Sequence, residues 1–194
     1  MKNLIIVIAL AVTTLTIAAC NQTGTSSADT GADTAKTASV TEKPVAKPTT
    51  AASIKGLLTS YLQLKNALAA DKSDDAATAG KALAAGFGKF DQASLTPAQK
   101  KSFIDIEGDA REMAEHIGES AGKLPHQREH FEMLSQDMTD LVKLLGAGQA
   151  LYVDHCPMYN NNKGANWLSE TKEIKNPYLG TKMPTCGTVK EEIK

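Results

Sequence analysis

Between residues 53 and 145 the apolar side chains fall at helical spacing in four consecutive blocks, and this pattern restricts the fold more than any other feature. Ile54, Leu57, Leu58, Tyr61, Leu64 and Leu68 mark an amphipathic helix over 53–70. The polar run Asp71 to Asp75 breaks it, and Ser73 or Asp74 is placed to cap the next helix. That second, alanine-rich helix over about 75–90 carries Leu83, Phe87 and Phe90 on one side, and Gly86 and Gly88 weaken its end. Thr96-Pro97-Ala98-Gln99 is a start signal with an N-cap threonine, a proline at the first helical position and glutamine at the capping-box position. The third stripe is Phe103, Ile106, Ala110, Met113 and Ile117, stopped by Gly118 or Gly122. Pro125 opens a fourth helix with Phe131, Leu134, Met138, Leu141, Val142 and Leu145, and Gly146 stops it. Short connections favour antiparallel neighbours, so the expected fold is all-α: an antiparallel four-helix bundle over 53–148. Residues 149–194, rich in Gly, Pro and Asn without a sustained period, are expected to form a loop-rich Cys/Met lobe packed on the bundle.

The N-terminus indicates where such a domain works. Lys2 followed by the apolar stretch Leu4 to Val12 reads as a secretory signal, too short to favour a membrane span. Ile17-Ala18-Ala19-Cys20 resembles a bacterial lipobox, which implies removal of residues 1–19 and lipidation of Cys20. Two or more acyl chains anchor firmly, because each buried methylene adds about 0.8 kcal/mol. Asn21 gives no argument for inner-membrane retention, so an outer membrane facing the periplasm is expected. Residues 20–52 hold almost nothing bulky and apolar and read as a disordered tether. Cleavage leaves 20 basic against 22 acidic side chains, a net of −2, which is no footprint for nucleic acid. It also leaves Cys156 and Cys186 as the two thiols, in an oxidising compartment.

The lobe carries four sequence blocks in order: "YVDHCPM", "GANWLS", "KEIKNPYLG" and "KMPTCG". Together with "YLQLKNALAADKSDDA" and "HQREHFEMLSQDM" upstream, they resemble an uncharacterised bacterial family of periplasmic domains over roughly residues 53–192. Members of that family occur as lipoproteins and at the C-terminus of adaptor subunits of Cus-type heavy-metal efflux pumps. The Cys-Pro-Met and Cys-Gly ends also resemble a short heavy-metal-binding module of copper exporters. That module usually has a second cysteine in its C-terminal half, where this chain has Cys186 alone. The resemblance implies a role in metal handling and an efflux component as partner.

The residue types point the same way. Thiolate and thioether sulfurs select soft ions such as Cu(I) or Ag(I). Cys156 with Met158 at one end, Met183 with Cys186 at the other, and His155 beside them make the candidate ligand set. Two other readings stay open. Cys156 and Cys186 form a disulfide, closing a loop of about 30 residues at a gain of about 3–4 kcal/mol, with the methionines packed on Trp167. Zinc fits less well, because one His and two Cys give only three of its usual ligands. His126 and His130, four apart, with Met133 beyond, form a secondary metal candidate on the flank of the fourth helix. His116 lies beside its own stripe, while Met113 and Met138 fall within the stripes as core. No serine nucleophile, phosphate-cradling loop or dinucleotide fingerprint is present, so a non-enzymatic protein is expected. The resulting expectation is capture of Cu(I) or Ag(I) for buffering or handover. The alternative is an envelope interaction module with a disulfide-stapled lobe.

Overall fold

The apolar stripes close on one another to form the core. The computed structural model describes residues 50–194, with side chains from Ile54 onward. The expected signal segment, Cys20 and nearly all of the expected tether lie outside the described residues. Four long helices come first: α1 (Thr50–Ala69), α2 (Ser73–Phe87), α3 (Pro97–Glu119) and α4 (Leu124–Leu145). Each packs on the next, and α4 returns to α1. Ile54, Leu58, Tyr61, Leu83, Phe103, Ile117, Phe131 and Leu141 are buried in the shared core, as their spacing predicts. No described helix is long and apolar enough to cross a membrane.

Local signals explain the boundaries. Asp71 takes a left-handed conformation (φ 57°) in the tight turn after α1. At α3 the capping box forms in full: Gln99 N–H donates to Thr96 Oγ1 at 3.3 Å, and Thr96 N–H donates to Gln99 Oε1 at 3.1 Å. The start of α2 departs from expectation, since Lys72 stands at the N-cap with no side-chain bond. The Ser73 hydroxyl is engaged elsewhere, donating to Gln127 Oε1 at 2.7 Å and accepting from Gly122 N–H at 2.7 Å. Tertiary bonds override the local cap. Helices α2 and α3 approach closely at Gly80, where a Cβ would stand 2.9 Å from the Ala114 carbonyl oxygen.

The chain is mostly helical but not all-α, and this corrects the expected fold class. The C-terminal segment contains three strands: β1 (Leu151–Cys156), β2 (Ala165–Ser169) and β3 (Thr188–Ile193). They form an antiparallel sheet in the order β2-β1-β3. Asp154 pairs with Trp167, His155 with Asn166 and Cys156 with Ala165 across β1 and β2. Both sides of β1 are covered: Leu151 and Val153 are buried on one, Asp154 and Cys156 on the other. That removes the polar–apolar alternation by which a half-exposed strand is recognised.

Sheet and helices share one core, in which Leu151, Trp167, Leu168 and Tyr178 join the helical stripes. Tyr61 of α1 ties the layers together. Its ring stacks on Phe131 at 5.3 Å, and its hydroxyl bonds to Ser135 Oγ at 2.8 Å. The same hydroxyl accepts from the backbone N–H of Leu168 in β2 at 3.1 Å. A buried Lys65 ammonium meets Glu170, just past β2, at 2.7 Å.

Candidate functional site

The last residue of β1 is Cys156, so the sheet fixes one thiol in a fully buried position. The chain then turns sharply. Asn160, Asn161 and Asn162 lie in the left-handed region (φ 52°, 56° and 64°), which asparagine tolerates better than other side chains with a Cβ. This polar run is therefore a turn that sends the chain back as β2.

Cys186 arrives by a different route, held by Asn176, to which the sequence reading assigns no role. Asn176 is fully buried. Its Oδ1 accepts from the N–H groups of Tyr178 (2.8 Å) and Leu179 (2.9 Å). Its Nδ2 donates to the Cys186 carbonyl at 2.6 Å, and its own N–H donates to the Pro184 carbonyl at 2.9 Å. One amide thus clamps the Pro184–Cys186 segment onto the Asn-Pro-Tyr turn. The Asn-Pro dipeptide was the available signal, since it favours turn initiation. Gly187 completes the approach. A Cβ there would stand 2.9 Å from Trp167 Cη2 and 3.0 Å from the His155 carbonyl oxygen.

The outcome is direct apposition of the sulfurs: Cys156 Sγ and Cys186 Sγ are 3.6 Å apart, and neither forms a disulfide among the described residues. Trp167, buried and edge-on to Tyr178 at 5.9 Å, forms the adjoining core. Met158 is 50% exposed and Met183 40% exposed. The Met183 carbonyl accepts from Cys186 N–H at 3.2 Å, so both residues belong to one turn. His155 lies on the other face of β1 from Cys156, because successive strand residues point oppositely. Its Nδ1 is 2.8 Å from Asn166 Oδ1, and its ring covers Gly164. Burial, then the neighbouring Cys156 thiol, pushes the Cys186 thiol up from its ordinary range.

Two residues before Cys156, on the same side of β1, Asp154 is fully buried, and neither carboxylate oxygen is bonded among the described residues. The Nε1 of its cross-strand neighbour Trp167 also lacks a partner among the described residues. Burial pushes the Asp154 carboxyl up to about 7, with Lys65 pulling partly against it and Glu170 adding to it.

The histidines gather separately, where α3 meets α4. His126 Nε2 and His130 Nε2 are 3.1 Å apart. His116 of α3 stacks on His130 with centroids 4.7 Å apart. The sulfur beside His130 Nδ1, at 3.3 Å, belongs to half-buried Met113, which the stripe pattern assigns to the core. Met133 is exposed and lines a groove together with Met113, Asp109 and Asp137. Burial, then the charges of His126 and His116, hold the His130 imidazole below its ordinary range. Among the described residues, no three or more His, Cys, Asp or Glu side chains are grouped so as to hold a metal ion.

Residues 57–150 match a family described as a protein of unknown function (DUF3347). Searches among curated proteins and among solved structures returned no match. The matched span takes in the helices from Leu57 onward and stops one residue before β1, so the paired thiols fall outside it.

Proposed function

We propose that this chain is a lipid-anchored periplasmic protein, anchored through Cys20, whose C-terminal lobe captures Cu(I) or Ag(I). It buffers the ion or hands it to a heavy-metal efflux component. The helices, read as an up-and-down antiparallel bundle, are the scaffold that carries the lobe. The observation that supports the reading is the 3.6 Å separation of two thiols contributed by opposite ends of the lobe. With metal–sulfur bonds of about 2.3 Å, a three-coordinate ion held by two thiolates and one thioether keeps the thiolates about 4.0 Å apart. The observed pair is already within a few tenths of an ångström of that span. Soft sulfur donors favour Cu(I) and Ag(I) over hard cations.

Cys156 is buried and Cys186 is only partly so, which puts access on the Cys186 side. Met158 and Met183 are the thioethers nearest in sequence, and both are exposed. The proposed transfer is ligand exchange, in which a sulfur of the acceptor enters the shell as one of these weak ligands leaves. His155, on the opposite face of β1, orders the hairpin through Asn166 and takes no part in this shell.

An anaerobic Cu(I) competition titration against a chromophoric chelator tests the proposal. Wild type is expected to take up one ion per chain. Cys186→Ser is expected to weaken binding at least about tenfold, which is about 1.4 kcal/mol, and Met158→Ala and Met183→Ala less. Wild-type affinity in Cys186→Ser would overturn the reading.

The same sulfur contact supports a second reading, a disulfide-stapled envelope interaction module. A disulfide needs about 2.05 Å between sulfurs. Thiol counting on protein purified without reductant separates the two. Two free thiols that become protected by Cu(I) fit capture, and a permanent crosslink without metal uptake fits docking alone.

A further inference from the structure

The histidine cluster carries chemistry that the thiol pair does not use. His126 and His130 are four residues apart on α4, so they stand one above the other on the same helix face. Their Nε2 atoms are 3.1 Å apart, and their rings are nearly perpendicular at 87°. The other nitrogen of each ring faces an acceptor. His126 Nδ1 is 3.6 Å from the Glu129 carboxylate, and His130 Nδ1 is 3.3 Å from the Met113 thioether sulfur. The thioether favours a proton on His130 Nδ1, because it has no hydrogen to give, whereas the Glu129 carboxylate stands beyond hydrogen-bond range of His126 Nδ1. With His130 Nε2 bare, His126 Nε2–H donates to it across 3.1 Å in the metal-free protein, and a divalent ion that displaces that one proton meets both nitrogens.

Metal–imidazole bonds run about 2.0–2.1 Å. Two imidazole nitrogens in adjacent positions of one ion, 90–100° apart, therefore stand about 2.8–3.2 Å from each other. Two nitrogens on opposite sides of a linear ion would stand about 4.1 Å apart. The observed spacing matches the first geometry. It suits a borderline divalent ion that keeps further positions for water, and it does not suit two donors placed on opposite sides of one ion. Imidazole donors favour Cu(II) most strongly among the common divalent first-row ions. His116 does not complete the set. Its ring lies parallel to His130 (10°), so the in-plane lone pairs of the two rings cannot converge, and its Nε2 faces Glu112 at 3.6 Å.

We infer that His126 and His130 form a two-imidazole chelate for a divalent transition ion, Cu(II) foremost, with Met113 holding the proton on His130 Nδ1. The site is half open, and its remaining positions belong to water or to an incoming donor. It is chemically distinct from the sulfur pair and does not depend on what that pair binds.

Cu(II) titration of the full chain, monitored by electron paramagnetic resonance, tests this. Wild type first oxidised to the Cys156–Cys186 disulfide, so that the thiol pair does not reduce Cu(II), and Cys186→Ser, in which the sulfur pair is broken, are both expected to bind one Cu(II) with hyperfine structure from two nitrogens. Outer-shell changes alone weaken metal sites about 10–100-fold, so His126→Gln and His130→Gln are each expected to weaken binding at least about tenfold. His116→Gln is expected to stay within about twofold of its parent, and circular dichroism checks that each variant is folded. Absence of stoichiometric Cu(II) in Cys186→Ser overturns the inference, as does parental affinity in His126→Gln. Equal loss in His116→Gln overturns it too. Failure here with intact Cu(I) uptake leaves the sulfur site standing, and the converse holds.

Discussion

Replacing Asp154 by asparagine removes a charge from the most costly position in the lobe and nearly preserves shape. The carboxyl is fully buried, neither oxygen has a bonding partner among the described residues, and burial pushes it up to about 7 from 3.8. The folded state therefore keeps its proton to higher pH than the unfolded state does. The associated stability is fully present below pH 3.8 and is lost as pH rises through about 7. Three units at 1.36 kcal/mol each make the full penalty about 4 kcal/mol. About 3 kcal/mol of it develops between roughly pH 5 and 8.5 in wild type and is absent from Asp154→Asn, while Asp137, raised to about 6 by burial, weakens both alike. The amide has hydrogen-bonding needs of its own, at about 1–3 kcal/mol if they are unmet. That cost does not vary with pH, so the difference in slope is the diagnostic quantity. Urea unfolding monitored by circular dichroism at pH 5, 6, 7 and 8.5 measures it directly. In thermal melts the gap is expected to open by about 6–12 °C across the range, at about 2–4 °C per kcal/mol for a domain of this size. Stability curves that run parallel from pH 5 to 8.5 would refute the reasoning and imply that Asp154 is solvated or paired in solution.

Three further outcomes are expected. Mild oxidation of wild type is expected to join Cys156 to Cys186 and raise unfolding stability by about 3–4 kcal/mol; melts with and without reductant check this, and coincident melts contradict it. Gly80→Ala is expected to cost about 1–3 kcal/mol, because the new methyl meets the Ala114 and Gly118 backbones; Gly56→Ala, with nothing within 4 Å, is expected to gain about 0.5–1 kcal/mol, and chemical denaturation of both compares them. Hydrogen bonding from Thr181, then that from Arg128, holds Asp71 down at about 2. Its contribution is present above pH 3.8 and lost as pH falls through about 2, so acid unfolding of Asp71→Asn is expected to be less steep than that of wild type.

The four helices were legible because each buries a single stripe, and one stripe at a period of 3.6 needs no tertiary information. The Thr96–Gln99 capping box could be read for the same reason, as all its partners lie within four residues. The expected Ser73 cap does not form, since its hydroxyl bonds to groups some fifty positions away, which no local pattern shows. The strands were hidden for a related reason. β1 is covered on both sides and places a carboxylate at a buried position, so neither alternation nor hydrophobicity marks it. At the lobe the residue types suggested that two sulfurs converge, but not what holds them there. Asn176 clamps Cys186 through bonds to four backbone groups, and no spacing rule identifies such a residue. Strand parity separates His155 from Cys156 only once the strand itself is known. In the histidine cluster, α4 supplies two rings at readable spacing. The thioether comes from α3, seventeen residues from His130, and only the packing of the two helices brings it in.

Copper K-edge X-ray absorption on the Cu(I)-loaded full chain tests the central claim most directly, because it counts the donor atoms of the bound ion. The account predicts a shell of sulfur, two thiolates with at least one thioether, that loses a sulfur in Cys186→Ser. A shell of nitrogen or oxygen, or one unchanged in Cys186→Ser, would contradict it.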